Sequence, residues 1–427
     1  MNNSSELAIN GGSPIITPSH SFLPYNTIGH EEKCAVNDVL KSGNLSGFVA
    51  SSGKQFFGGP QVQLFENDLR TFFNVKHAIT VNSWTSGLIV MLGALGLEPG
   101  DEVITTPWTM CATATAILHW NAIPIFADIN SKTFLLDLDL VESLISTRTK
   151  AILAVDIFGQ SCDMDKLKYL QDKYNVFIVS DSAQAPYAQQ NQRFAGTLGD
   201  CGGFSFNYHK HIHTGEGGAI VTNNSEIALR CQLIRNHAEA AVESMNIHNL
   251  SNMIGYNFRL GEMESAIGIQ QLKKLPSLVK NRQLIASRLI DGLRNLKGLI
   301  LPELLDSNTH VFYILPLSLE LSMLSCTRSD LVEALRFEGV PGLEEGYCNI
   351  HLLPLFQQRI AYGSKGFPWS SPDICSHVPN YEKGLCPVAE YLHDSSFFMI
   401  ELCLYSFTDY DVDLIIEAFH KVWSNLT

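Results

Sequence analysis

The sequence predicts an α/β protein: a large domain with a mostly parallel sheet covered by helices on both faces, followed by a smaller C-terminal α+β domain. Between about residues 28 and 275, short continuous apolar runs alternate with helix-like segments, a pattern typical of parallel strands buried on both faces. After about residue 276 this alternation ends. We therefore predict an N-terminal arm over 1–27, a large domain over 28–275 and a small domain over 276–427.

Each predicted element has its own local pattern. The arm is polar and rich in Gly, Ser and Pro. The predicted strands of the large domain are HAITVN, DEVITT, IPIFADI, KAILAVDIF and VFIVSD, and the first two precede the helix-like runs WTSGLIVMLGALGL and ATATAILHW. In the small domain, LVKNRQLIASRLIDGLRNLKG has helical periodicity and ends at a glycine, and DVDLIIEAFHKVW is the last amphipathic helix. HVFYILPLSL and SFFMIELCLYS are strand-like.

Composition excludes several classes of protein. The 427 residues are 45% hydrophobic and 17% charged, as in an ordinary globular protein. A net charge of −14 without basic runs argues against a nucleic-acid partner. No apolar run approaches the ~20 residues that span a membrane, and the N-terminus lacks a signal-peptide pattern. The ten cysteines include no CxxC pair, which predicts no metal site and a reducing, cytoplasmic location.

One lysine and one aspartate carry the main chemical signal. Lys210 lies between the strand-like FSF and a glycine-rich turn in FSFNYHKHIHTGEGG, and Asp181 ends the apolar run VFIVSD. A lysine and an aspartate presented in this way are typical of a pyridoxal phosphate site, where they form the Schiff base and pair with the pyridinium nitrogen. Two alternatives stay open: Lys210 as a solvated surface lysine, and Asp181 as the cap of a helix that begins at Ser182.

Hydroxyl groups near these two residues predict a phosphate site. Asn82-Ser83-Trp84-Thr85-Ser86-Gly87 lies between a strand and an apolar helix, where backbone amides and hydroxyls bind phosphate. Ser205 precedes Lys210 and has a hydroxyl that can donate to the same group. Gln184 follows Asp181 and can orient a hydroxyl of the cofactor. The histidines at 209, 211 and 213 are interpreted as polar loop residues.

The order of these features resembles that of the fold-type I pyridoxal phosphate enzymes and, more narrowly, of the DegT/DnrJ sugar aminotransferase family. The resemblance covers nearly the whole chain. The matching motifs are LAINGGSP at 7–14, GDEVI at 100–104, GTLGD at 196–200, FSF, Lys210 and GEGG within 204–218, GYNFR at 255–259 and CPVAE at 386–390.

The resemblance implies a role for each matching residue. Lys210 would form the Schiff base with pyridoxal 5′-phosphate and move protons, and Asp181 would pair with the ring nitrogen. Gln184 would contact the ring hydroxyl. Asn257 would reach the phosphate of a neighbouring subunit, which implies a homodimer with shared active sites. The residues implied for the phosphate of the same subunit are Thr85, Ser86 and Ser205.

The implied reaction moves an amino group from glutamate to a keto sugar, most often a nucleotide-linked keto-deoxy sugar. Three alternatives stay open. The opening LAINGGSP is also similar to members that aminate a free keto-cyclitol with glutamine as donor. One branch of the family, in which histidine replaces the lysine, consists of sugar dehydratases, but Lys210 is retained here. The third alternative is a non-catalytic regulator on the same fold.

The sequence departs from the family pattern on the substrate side. Trp84 stands where the family usually has glycine, and Asp156 replaces a histidine. Met110 takes the position of the aromatic residue that stacks on the cofactor, with Trp108 as the alternative. The span 343–372 falls where the family has its substrate loop; we predict substrate contacts there from Tyr347, His351 and Trp369, or else ordinary aromatic packing in a domain connection.

Overall fold

The structure is a computed structural model that describes residues 6–372, 374–375 and 377–427. The described strands are β1 His77–Val81, β2 Glu102–Thr105, β3 Ile123–Phe126, β4 Thr149–Val155, β5 Phe177–Asp181, β6 Gln189–Gln190, β7 Arg193–Phe194, β8 Cys201–Ser205, β9 Gly218–Thr222, β10 Leu299–Ile300, β11 Leu315–Leu319, β12 Leu343–Glu345 and β13 Phe397–Ile400. The described α-helices are α1 His30–Ser42, α2 Pro60–Phe73, α3 Trp84–Ala94, α4 Ala112–His119, α5 Leu138–Leu144, α6 Met164–Tyr174, α7 Ser225–Arg235, α8 Glu262–Leu293, α9 Arg328–Phe337, α10 Pro354–Gln358, α11 Pro387–Tyr391 and α12 Asp409–Leu426.

The large sheet has seven strands in the order β1-β9-β8-β5-β4-β2-β3. All neighbouring pairs from β8 to β3 are parallel, and β9 runs antiparallel to both β1 and β8. β6 and β7 form a separate two-stranded sheet. The predicted mostly parallel sheet is therefore confirmed.

Helices cover both faces of this sheet, as the continuous apolar strands predict. Successive side chains of a strand point to opposite faces. Val103 and Ala151 pack in a cluster with α3, α4 and α7, whereas Ile104 and Ile152 pack in a cluster with α5 and α6. A further cluster joins α2 and α8 to the β8 and β9 end of the sheet.

The C-terminal part contains a smaller antiparallel sheet in the order β10-β11-β13-β12, which packs on α9 and α12. The predicted boundary at 275–276 falls inside α8, which continues through Pro276. The division into an arm and two domains stays a prediction.

The described part of the arm, from residue 6, packs against the C-terminal part of the chain. Leu7 and Ile16 are buried in the same cluster as α12. The backbone N–H groups of Ala8 and Ile15 donate to the carboxylate of Glu338, which also pairs with Lys421. No helix in the described ranges is long and apolar enough to cross a membrane. The cytoplasmic location stays a prediction.

Candidate active site

A cavity lies at the carboxyl ends of the parallel strands, where open α/β sheets bind ligands. It encloses about 730 Å³ of space, part of it open to solvent. Its wall includes the segments that follow strands β1, β2, β5 and β8. The predicted site residues that line it are Thr85, Met110, Asp181, Gln184, Ser205 and Lys210. The sheet therefore brings together residues that are far apart in the sequence.

Lys210 lies in the loop between β8 and β9, and it is buried, with 7% of its surface exposed. The alternative of a solvated surface lysine is therefore wrong. Its Nζ lies 4.2 Å from the centre of the Tyr313 ring. Burial lowers the pKa of Lys210 to about 8, while the negative charges of Asp181 and Glu401 oppose that shift. A useful fraction of this amine is neutral near pH 7.

The turn after Lys210 brings the backbone close to the cavity. Gly217 lines the cavity at φ +156°, and a Cβ atom there would lie 2.6 Å from Thr214 Oγ1. Residues far away in the sequence also hold this loop. The Tyr25 hydroxyl donates to the carbonyl of His211, and the His211 ring forms a hydrogen bond with the carbonyl of Val311. His211 is therefore a buried structural residue rather than the polar loop residue that we predicted.

Asp181 ends β5 and is buried at the floor of the cavity. Its Oδ1 accepts a hydrogen bond of 2.6 Å from the indole N–H of Trp84, and its Oδ2 accepts one of 3.0 Å from the hydroxyl of Thr113. Burial raises the pKa of Asp181, and these two hydrogen bonds oppose the rise. No helix begins after Asp181, so the alternative of a helix cap is wrong.

Hydroxyl and amide groups surround the N-terminus of α3 at one end of the cavity. Ser83 caps this helix by accepting from the N–H of Ser86 at 3.1 Å. Four polar residues at this end line the cavity: Ser83, Thr85, Ser205 and Asn207. Ser86 does not line it, and its hydroxyl forms a hydrogen bond of 2.9 Å with that of Ser83. The first N–H groups of a helix have no acceptor within the helix, so this end of the cavity suits an anion.

Gln184 links the cavity to the segment that we predicted as a substrate loop. Its Oε1 accepts from the backbone N–H of Phe158 at 2.8 Å, and its Nε2 donates to the Tyr347 hydroxyl at 3.1 Å. Burial raises the pKa of Tyr347 to about 12, which keeps this hydroxyl protonated at neutral pH. Of the three predicted substrate residues, Tyr347 contacts a residue of the cavity wall.

The other two predicted substrate residues lie in the core. His351 is fully buried and bonds Glu390 through Nε2 at 2.9 Å. Trp369 is 2% exposed and donates to the Tyr381 hydroxyl at 3.2 Å. Neither lines the cavity. For both residues this placement matches the alternative of ordinary packing, because their polar atoms are directed at other core residues.

Met110 and Trp108 are placed differently. Met110 lines the cavity and is 59% exposed, whereas Trp108 is fully buried against Tyr347 and Phe397. Of the two candidates for stacking on the cofactor, only Met110 faces the cavity.

Asn257 lies outside the cavity of its own chain. It is exposed, and its Oδ1 accepts from Nε of Arg259 at 2.7 Å. This placement leaves the residue available at the surface, as a role in a neighbouring subunit requires.

Comparison with known proteins identifies a family. The model of the DegT/DnrJ/EryC1/StrS aminotransferase family matches residues 27–380. The chain belongs to this family. It is 33% identical to the spore coat polysaccharide biosynthesis protein SpsC of Bacillus subtilis (strain 168), over 96% of this chain and 99% of that protein.

Two further relatives connect the family to amino sugars. The chain is 35% identical to a dTDP-3-amino-3,4,6-trideoxy-alpha-D-glucose transaminase of Micromonospora megalomicea subsp. nigra, over 66% of this chain and 72% of that protein. The structure of the present chain also matches that of Helicobacter pylori PseC, described as an aminotransferase involved in the biosynthesis of pseudoaminic acid. The TM-score is 0.76 and the sequences are 28% identical, over 95% of this chain and all of PseC. The chain is a sugar aminotransferase with the fold-type I architecture.

The cavity of this sugar aminotransferase fits pyridoxal phosphate, the cofactor that the family implies. Hydroxyl groups beside the N-terminus of α3 suit the phosphate, the buried carboxylate of Asp181 suits a protonated ring nitrogen, and the buried amine of Lys210 suits the aldehyde. Within the described residues, no group of three or more His, Cys, Asp or Glu side chains is placed to hold a metal ion.

Several residues of the aminotransferase site were not predicted. Ser83, Thr109, Thr113, Asn207 and Glu216 all line the cavity. Ser83 and Asn207 lie within segments that the sequence singled out, so their polar side chains were an available signal. Thr113 lies inside an apolar helix, and nothing in the sequence marks its hydroxyl as a partner of Asp181.

Asp156, at the position of the family histidine, forms a second buried acid beside the site. Its Oδ2 accepts from the Ser182 hydroxyl at 2.5 Å and its Oδ1 from the N–H of Cys162 at 2.8 Å. Burial raises the pKa of Asp156 to about 7, and the nearby charge of Asp181 adds to the rise. Its hydrogen bonds are directed at backbone and side chains of the adjacent loops, so we assign it a structural position behind Asp181.

Proposed function

We propose that this protein is a pyridoxal phosphate-dependent aminotransferase that transfers the amino group of glutamate to a nucleotide-linked keto-deoxy sugar. The observation that carries the proposal is the buried amine of Lys210 in one cavity with the buried carboxylate of Asp181. A catalytically silent relative on the same fold would have no need to keep both groups buried, because each opposes burial.

The cofactor supplies an electron sink that stabilises negative charge on the α-carbon of the amino donor. The residues of this chain bind and orient it. Asp181 would accept a hydrogen bond from the ring nitrogen and favour its protonated form, and Thr85 and Ser205 would donate to the phosphate. Lys210 Nζ takes the proton from the α-carbon of the donor, a role that its pKa of about 8 suits near neutral pH.

The choice of acceptor follows from the relatives. The transaminase of Micromonospora megalomicea is named for a dTDP-linked amino sugar, and PseC is described by a role in the biosynthesis of pseudoaminic acid. We infer that the acceptor of this chain belongs to the same chemical class. Glutamate as donor rests on the family resemblance, with glutamine as the alternative that the experiment below separates.

We further propose a homodimer in which Asn257 reaches the phosphate bound by the partner copy. The exposed position of Asn257 outside its own cavity supports this proposal. A mixture of K210A and N257A chains tests it. If the sites are shared, each mixed dimer contains one intact site, and about a quarter of the wild-type activity returns after random reassortment. Recovery of no activity above that of the separate variants would contradict the shared site.

Transfer of isotope tests the reaction itself. Wild-type protein is supplied with glutamate or glutamine labelled with ¹⁵N at the α-amino group and with nucleotide-linked keto-deoxy sugars or a free keto-cyclitol, and products are analysed by mass spectrometry. We expect ¹⁵N in the sugar from glutamate, and a loss of about 10⁴-fold in K210A. K76A, which removes an exposed lysine outside the cavity, is the control. Loss of a sugar hydroxyl without gain of ¹⁵N would instead indicate a dehydratase, and ¹⁵N from glutamine in a free cyclitol would indicate the cyclitol enzyme.

A further inference from the structure

We propose that Trp84 is a positioning residue for Asp181: its indole N–H holds one carboxylate oxygen, so that the other oxygen faces the ring nitrogen of the cofactor. This inference rests on the proposed function, because it concerns the acid that would pair with that nitrogen. The indole is contributed by a residue that stands where the family usually has glycine.

The two oxygens of Asp181 are not equivalent. Oδ1 accepts from the Trp84 indole at 2.6 Å and from the N–H of Ala183 at 3.3 Å. Oδ2 accepts from the Thr113 hydroxyl at 3.0 Å. A carboxylate oxygen offers two lone pairs for hydrogen bonding. Both positions on Oδ1 are occupied and one on Oδ2 is free, so Oδ2 is the atom left to accept from a third donor.

The indole is itself fixed in place, which a positioning residue requires. Trp84 is 6% exposed. A Cβ atom on Gly203 of β8 would lie 2.6 Å from the indole ring, and one on Gly87 of α3 would lie 2.8 Å from it. The indole ring is therefore packed between β8 and α3, and this packing fixes the direction of its N–H group.

Ordinary packing does not account for this contact. Among the described residues, the other indole N–H groups with a partner donate to neutral oxygens: Trp120 to the carbonyl of Ile89, Trp369 to the hydroxyl of Tyr381 and Trp423 to the carbonyl of Lys297. Trp84 donates to a buried carboxylate in the cavity floor, and a hydrogen bond to a charged group is the stronger kind.

The experiment compares Trp84, the first residue of α3, with Trp120, the residue that follows α4. W84F removes the indole donor of Trp84, and W120F removes an indole donor that is equally buried in the same cluster and packs on Gly93 of α3. The dissociation constant of pyridoxal phosphate is measured by titration of the cofactor-free proteins. We expect W84F to weaken binding roughly ten- to hundredfold and W120F to change it less than about twofold.

A double-mutant cycle separates positioning from packing. In a D181N background the carboxylate charge is absent, so W84F should weaken binding less than about threefold. An equal effect of W84F in the wild-type and D181N backgrounds would overturn the proposal. W84M also lacks a donor and keeps an apolar side chain, and it replaces W84F in the cycle if W84F does not fold. It too should weaken binding less in the D181N background, and an equal effect in both backgrounds would overturn the proposal.

The pH dependence of binding gives a readout that lost packing would not move. Trp84 favours the charged form of Asp181, so its removal should move the pH below which binding weakens to a higher value. A profile of W84F that is parallel to the wild-type profile at every pH would overturn the proposal. If the wild-type protein binds no pyridoxal phosphate at all, the proposed function itself fails; if it binds and W84F binds equally well, only the role of Trp84 fails.

Discussion

The floor and the mouth of the cavity are built in different ways. The floor, which consists of Trp84, Thr113 and Asp181, is buried and closed by hydrogen bonds among its own side chains. The mouth, represented by Met110 and Glu216, is exposed. The floor is attached to strand ends and helix starts of the large sheet, whereas the mouth is attached to loops. We infer that the floor fixes the cofactor chemistry and that the mouth is free to change with the acceptor.

Replacement of Asp181 should produce the largest effect of the variants considered for this comparison. D181N keeps the shape but removes the charge that favours a protonated ring nitrogen, so we expect transamination to slow by about 10²- to 10³-fold. D200N is the control, because Asp200 immediately precedes β8 and accepts from the N–H of Ile178 in β5 but does not line the cavity. A loss below about tenfold would show that the floor does not decide the chemistry.

The pH dependence of the reaction between Lys210 and an aldehyde tests whether this amine is buried beside the floor of the cavity. Reaction with an aldehyde requires the neutral amine, so the rate at which cofactor-free protein captures pyridoxal phosphate should rise with pH and level off above about 8. Asp181 raises the pKa of Lys210 through its charge, so D181N should move the midpoint to lower pH. Stopped-flow absorbance gives both profiles. A wild-type midpoint near the ordinary lysine value of about 10.4 would contradict the burial of this amine.

A substitution at the mouth should act more weakly. M110A removes a side chain that lines the cavity, and contacts between a thioether and an aromatic ring are worth about 0.3–1.5 kcal/mol. We therefore expect cofactor affinity to fall about two- to tenfold. W108F should lower the melting temperature and leave affinity unchanged, because Trp108 is in the core. The reverse result would assign the stacking role to Trp108.

The smallest effect on activity is expected at His351 and Glu390. Glu390 also accepts from the N–H groups of Gly384 and Cys386, so E390Q should lower the free energy of unfolding by about 1–3 kcal/mol at pH 7 while the rate stays within about twofold. The control is E382Q, because Glu382 is exposed. If E390Q lost much of its rate without loss of stability, His351 would be assigned to the substrate site instead of the core.

The pH dependence of this stability has a definite sign. The hydrogen bond from His351 and those from the backbone hold the pKa of Glu390 below its ordinary value against the effect of burial. Its contribution is therefore present above the ordinary carboxyl pKa and is lost as the pH falls through the lowered one. Chemical denaturation of the wild type and E390Q should show a difference that shrinks as the solution becomes acidic.

The sequence predicted the fold and three residues of the site, Asp181, Ser205 and Lys210, for a physical reason. Apolar strands buried on both faces leave a clear pattern, and the residues that follow their carboxyl ends must meet at one edge of the sheet. Asp181, Ser205 and Lys210 come directly from such strand ends, and the structure brings them into one cavity.

The rest depends on packing between distant segments, which leaves no local pattern. His351 and Trp369 lie in the span 343–372, which we predicted as a substrate loop. In the structure they are buried, because they form hydrogen bonds with Glu390 and Tyr381 in the core. The hydrogen bond from Thr113 to Asp181 joins two elements across the cavity, and the contact of Lys210 with Tyr313 joins the large sheet to the C-terminal part. None of these distances can be inferred from spacing in the sequence.

The packing of Trp84 on Gly87 couples the residue types at these two positions. A methyl group at position 87 would lie 2.8 Å from the indole, so alanine there requires the indole to move. Glycine inside a helix is unfavourable by roughly 1 kcal/mol relative to alanine, and in α3 that loss accompanies the close packing of the indole that donates to Asp181. Alanine at position 87 would therefore favour the helix and displace the indole from the carboxylate, so the two effects oppose each other at a single position.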